Sequence, residues 1–79
     1  MTEHARHMVA ERQLDLSWIR TTIENPVKTE DDKEDSELRH ALCEIPERGG
    51  RILRVVYNDR TRPWRIVTAY FDRREGKGR

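Results

Sequence analysis

The chain has 79 residues, 34% of them hydrophobic and 39% charged, with a formal net charge of +1. So short a chain makes one domain with a small core, burying about 60% of the surface its unfolded form exposes. That excludes a multi-domain enzyme with its own cofactor domain, and no apolar run approaches the roughly 20 residues that span a bilayer. The polar stretch from Thr2 to Arg6 predicts no secretory signal, and the single cysteine, Cys43, predicts a reducing, cytoplasmic setting.

The first predicted element is a helix over residues 3–12, with Ala5, Met8 and Val9 on one face. A second runs from Leu16 to Glu24. Asp15 is its N-cap, Leu14 and Ile19 have the spacing of a hydrophobic staple, and Leu16, Ile19 and Ile23 form its apolar stripe. Asn25-Pro26 ends it, because proline disfavours helix at the residue before it. Residues 28–37 are polar and acidic; a short edge strand is expected to begin at Val27 and dissolve into a turn around residues 33–35. From Leu38 the period changes to two. A strand over residues 38–45 places Ala41, Cys43 and Ile45 on one face. Gly49-Gly50 closes a turn that favours positive φ. Residues 51–58 are apolar on both faces and read as a central strand, and residues 64–71 as the last. Residues 73–79 form a basic tail expected to fray.

This order predicts a single α+β domain over residues 1–79, with an ordered core over residues 3–72. Two N-terminal helices pack on a three- to four-stranded antiparallel sheet. The expected core is Ala5, Met8, Val9, Leu14, Ile19, Ile23, Ala41, Leu53, Val55 and Val67.

Charge is distributed unevenly. Residues 27–37 carry a net of −4 and residues 38–79 a net of +6, and thirteen of the sixteen basic residues are arginine. Arginine presents a planar fork suited to phosphate and carboxylate. Arg39, Arg51, Arg54 and Arg65 lie on predicted strands and are expected to join one positive surface. Trp64 and Tyr70 share a face by the period of two. Arg54 shares a face with Ile52 and Val56, a costly position unless its guanidinium meets a partner or the face is open. A basic sheet face with interleaved aromatics can hold single-stranded RNA through phosphate contacts and base stacking. In that reading Arg39, Arg51, Arg65 and Trp64 bind nucleic acid. The alternative is that the aromatics are core and the arginines pair with Glu44, Glu47 and Asp72.

The histidines offer acid–base chemistry near neutral pH. RNA cleavage through the 2′-hydroxyl needs a base, a stabiliser for the phosphorane and an acid for the leaving oxygen. His4, Arg54 and Tyr70 are the candidate set, with His40 as substitute acid or base. If they form it, Arg54→Ala abolishes activity and leaves the melting temperature nearly unchanged. The structural alternative is that His4 caps or pairs locally and Arg54 bonds a carboxylate. His4 and His7 lack further ligands at zinc spacing, so no metal site and no cofactor are predicted.

The ordered set His4-Ala5, Met8, Glu11-Arg12, Asn25-Pro26, Leu38-Arg39-His40-Ala41, Ile45-Pro46, the run from Gly49 to Tyr57 and the run from Arg65 to Arg74 resembles the bacterial family called domain of unknown function 4258. It departs from that pattern at Gln13, where a glycine often follows the Glu-Arg pair. Gly50-Arg51, Leu53, Val55-Val56-Tyr57 and Arg65-Ile66-Val67-Thr68-Ala69 are also similar to the BrnT toxins of the RelE/ParE-like superfamily. That second resemblance implies two helices on an antiparallel sheet, a metal-independent endoribonuclease (mRNA interferase) activity, RNA as substrate and a small antitoxin protein as partner. The alternative function is a non-catalytic module that binds RNA or protein on the same fold. Neither reading involves a membrane.

Overall fold

The computed structural model describes residues 2–72, so the basic tail over residues 73–79 lies outside the described residues. Helix α1 spans Glu3–Arg12 and α2 spans Leu16–Glu24; four strands follow, β1 Lys28–Asp31, β2 Arg39–Ile45, β3 Arg51–Asn58 and β4 Arg65–Asp72. The strands pair antiparallel in the order β1-β2-β3-β4. The architecture is the predicted α+β one, with the short β1 at one edge.

Both helices are fixed by local signals. The Thr2 hydroxyl accepts from Ala5 N over 3.1 Å at the start of α1, and Gln13 takes a left-handed conformation (φ 57°) at its end. Asp15 caps α2 by accepting from Ser17 N over 2.8 Å. That bond, then the one from the Ser17 hydroxyl, holds the Asp15 carboxyl below its ordinary value.

Ala5, Leu14, Ile19, Ala41, Ile45, Leu53, Val55, Tyr57, Ile66 and Ala69 form the core between the helices and one sheet face. Met8, Val9, Ile23 and Val67, expected inside it, are only half-buried. Leu16, expected on the α2 stripe, is 58% exposed. The buried arc of α2 centres between Ile19 and Thr22, which leaves Leu16 on its margin. Thr22 is fully buried, and its hydroxyl donates to Trp18 O over 2.8 Å.

A bulge decides β4. Val56 pairs with Thr68 and Tyr57 with Ile66, so Val67 is the additional residue in the strand. It flips the alternation within β4. Ile66, Ala69 and Phe71 face the helices, while Thr68, Tyr70 and Asp72 face away. Trp64 and Tyr70 therefore do not share a face. Trp64 lies ahead of β4 and stacks on Tyr57, a core-facing residue, at 4.9 Å and 9°.

The register also divides the arginines expected on one surface. Arg39 pairs with Tyr57 and Arg51 with Ile45, both on the helix side, whereas Arg54 pairs with Leu42 and Tyr70 on the other. Alternation around one strand forbids neighbours of odd separation from sharing a face. Nor is the Arg54 face an open basic one: Leu42, Ile52, Arg54 and Val56 are all buried there.

Candidate functional site

Two depressions bracket β4, and Tyr70 borders both.

The first, of about 680 Å³, lies on the face away from the helices and includes Glu30, Asp32, His40, Arg54, Tyr70 and Asp72. Arg54 is its centre and is 7% exposed. Its Nε donates to Asp72 Oδ2 over 2.8 Å, and its Nη1 donates to Glu30 Oε1 over 3.1 Å and to His40 Nδ1 over 2.7 Å. A guanidinium only donates, so His40 Nδ1 is the acceptor and the ring proton sits on Nε2. That nitrogen reaches Asp32 Oδ1 over 2.7 Å. Both imidazole nitrogens are thus engaged within the chain.

The electrostatics follow from these bonds. Burial pulls the Arg54 pKa down, but its hydrogen bonds to Glu30 and Asp72 outweigh that and hold it above its ordinary value. Lys28, at 3.1 Å, and then Arg54 hold the Glu30 carboxyl below the usual range. The His40 bond does the same for Asp32, helped by the backbone N–H groups of Asp35 and Glu34. The pocket also includes Asp31, Lys33 and Glu34, so acids outnumber bases around an arginine whose charge is already met.

The second depression, of about 820 Å³, runs between α1, the turn after β2 and the outer side of β4. It is lined by His4, Met8, Arg12, Arg48, Arg51, Thr68, Tyr70 and Phe71, none of them acidic. Arg48 lies over Trp18 at 5.3 Å and over Phe71 at 5.8 Å, Arg51 over Phe71 at 5.4 Å, and Arg12 over Tyr70 at 5.9 Å. Arg12 also donates to Ala69 O over 3.4 Å. Among the described residues, none of these three guanidinium groups forms an ion pair with a carboxylate. Aromatic faces hold the cations in place without neutralising them.

The predicted site residues therefore fall into separate groups. Arg54, His40 and Tyr70 meet in the acidic pocket. His4 and Arg51 line the basic groove with Tyr70, so His4 and Arg54 occupy different depressions. Arg39 bonds Asp31 at 3.4 Å and the Thr29 hydroxyl at 3.5 Å. Arg65 is exposed at the start of β4, and Trp64 is 39% exposed. Among the described residues, no three His, Cys, Asp or Glu side chains are grouped to hold a metal ion. Cys43 is buried, and desolvation and then Glu44 raise its thiol pKa.

Sequence reading missed Glu30, Asp32, Arg12, Arg48 and Phe71. The signal for the first two was present: once residues 28–31 are accepted as a strand, hairpin pairing sets Glu30 opposite His40. Asp72 was foreseen as a carboxylate partner for the arginines.

A family model matches residues 1–71. The chain belongs to the domain of unknown function family DUF4258. The DUF4258 match spans both helices, the first three strands and all of β4 except Asp72. No curated protein and no solved structure matches the chain. Among the described residues, no helix of this DUF4258 domain is long and apolar enough to cross a membrane.

Proposed function

We propose that this DUF4258 domain holds single-stranded RNA in the basic groove and cleaves it without a metal, in the manner of the BrnT and RelE-like toxins it resembles. One observation carries the reading: Arg12, Arg48 and Arg51 are set on aromatic faces in a groove with no acidic lining residue among the described residues. Phosphate groups supply the negative charge that pairs with these cations. His4 takes the proton of the 2′-hydroxyl as its oxygen attacks phosphorus. The bond from phosphorus to the 5′-oxygen breaks, that oxygen takes a proton from Tyr70, and a 2′,3′-cyclic phosphate remains. Arg12 and Arg51 stabilise the charge gathered on the phosphorane. Arg54, enclosed by two carboxylates and His40, holds the strand that carries Tyr70. An acidic segment of a small antitoxin fits the same groove by charge.

The test is end-labelled single-stranded RNA incubated with the protein in the presence of EDTA, with binding followed by anisotropy and products on a denaturing gel. We expect cleavage to cyclic phosphate ends, with His4→Gln and Tyr70→Phe binding RNA but not cutting it. Binding without cleavage by the unmodified chain would reduce the groove to a non-catalytic module. An absence of binding at low salt would overturn both readings.

A further inference from the structure

The two edges of the sheet are finished differently. Along the outer edge of β4, α1 covers the backbone: Thr2 N donates to Ile66 O over 3.0 Å, the Thr2 hydroxyl to Val67 O over 3.3 Å, and Arg12 to Ala69 O. Among the described residues β1 pairs on one side only, with β2, and Lys28, Thr29 and Asp31 are exposed. An unpaired edge is a template for another strand.

The phase of the β1–β2 ladder shows which backbone groups point outward. Asp32 N donates to Leu38 O over 3.1 Å, continuing the register that sets Lys28 opposite Leu42 and Glu30 opposite His40. Even-numbered residues therefore turn their backbone toward β2, and Thr29 and Asp31 turn theirs outward.

We propose that β1 pairs antiparallel with β1 of a second copy of this chain, about a twofold axis at Thr29. Thr29 then exchanges backbone hydrogen bonds with Thr29 of the second copy. Lys28 lies opposite Glu30 of the second copy, and Glu30 opposite its Lys28. Directly opposed residues share a face in such a pair, and Lys28 and Glu30 already share the face away from the helices, 3.1 Å apart. The charges select this register. An axis at Asp31 would set two aspartates against each other and Glu30 against Asp32, and an axis at Val27 would set Lys28 against Pro26. Short, charged edge strands ordinarily deter pairing; axes at Lys28 or Glu30 would likewise set like charges against each other, whereas the axis at Thr29 sets opposite charges together. The interface is small, so the dimer is weak and concentration-dependent. It leaves both basic grooves open, because they lie at the far edges of the joined sheet, and it does not depend on what those grooves bind.

Sedimentation equilibrium of the full chain from micromolar to millimolar concentration tests this. A reversible monomer–dimer equilibrium is expected. Thr29→Glu should weaken it roughly tenfold at low salt by setting like charges opposite each other on the axis, with partial recovery as salt rises. Within one chain the new carboxylate faces Arg39, so the fold is kept, as circular dichroism would show. Thr29→Pro, which removes the outward N–H, should leave a monomer. A monomer at every concentration, or a dimer whose Kd is unchanged in a folded Thr29→Glu or Thr29→Pro variant, would overturn the proposal.

Discussion

Arg54 Nε donates to Asp72 Oδ2 over 2.8 Å, reaching diagonally past Tyr70, its directly paired neighbour on β4. This bond ties the central strand to the last residue of the edge strand, and the same guanidinium ties in Glu30 of β1 and His40 of β2. One cation thus joins all four strands on the face the helices do not cover.

Arg54→Ala is therefore expected to destabilise the domain strongly, by about 3–5 kcal/mol, because it removes the buried guanidinium that Asp72, Glu30 and His40 all bond. This replaces the expectation of an unchanged melting temperature, which assumed an open face. Urea unfolding monitored by circular dichroism measures it; a midpoint equal to that of the parent would contradict the network's structural role.

Acid should weaken the fold through Glu30 and Asp32. Both carboxyls are held below their ordinary values of 4.5 and 3.8 in the folded state. A depressed pKa contributes stability that is complete above the unfolded value and is lost as pH falls through the folded one. The urea midpoint should accordingly be insensitive to these two groups above pH ~5 and fall on further acidification. Glu30→Gln and Asp32→Asn should each flatten that fall, and an acid limb identical to the parent's would refute the assignment.

Leu53 is fully buried and faces the helices. Leu53→Ala should cost about 2–5 kcal/mol, a large share of the stability of so small a domain. Thermal melting decides this, and a parent-like transition would mean that the core does not centre on β3.

Arg51 lies over Phe71 and, among the described residues, has no carboxylate partner, so its loss should touch binding more than stability. Arg51→Ala should reduce the slope of log affinity for single-stranded RNA against log salt by about 0.7. Anisotropy titrations at several salt concentrations give the slope. A slope equal to the parent's would remove Arg51 from the phosphate contacts.

Gly49 adopts φ +68° at the end of the turn before β3, with open space where a Cβ would stand. Gly49→Ala should then cost about 1 kcal/mol from backbone strain alone. A double variant with Leu53→Ala should be nearly additive, since the glycine adds no side-chain contact to the core; strong coupling in a double-mutant cycle would show otherwise.

How much was legible depended on the range of each signal. The boundaries of α1 and α2, the Asp15 cap and the burial of Leu14 and Ile19 were readable because each rests on residues a few positions apart. The central strand was readable from its continuous apolar run, and Arg54 stood out as a charge within it. Residues 28–37 were read as a short edge strand and a turn with no core role, and nothing in their polar, acidic pattern pointed to Glu30 and Asp32 as partners of Arg54 and His40.

Composition and local periodicity alone determine the order of elements and the antiparallel meander. They act through caps, staples and alternation, which are short-range. Only the tertiary structure decided which charges meet. The bulge at Val67 reverses the alternation between Trp64 and Tyr70, and the register separates Arg39 and Arg51 from Arg54. Residues 24 and 18 positions from Arg54 in sequence become its ligands. A one-residue offset in pairing sends a side chain to the other face, and no local pattern specifies that offset. It is set by how the whole sheet packs against the two helices.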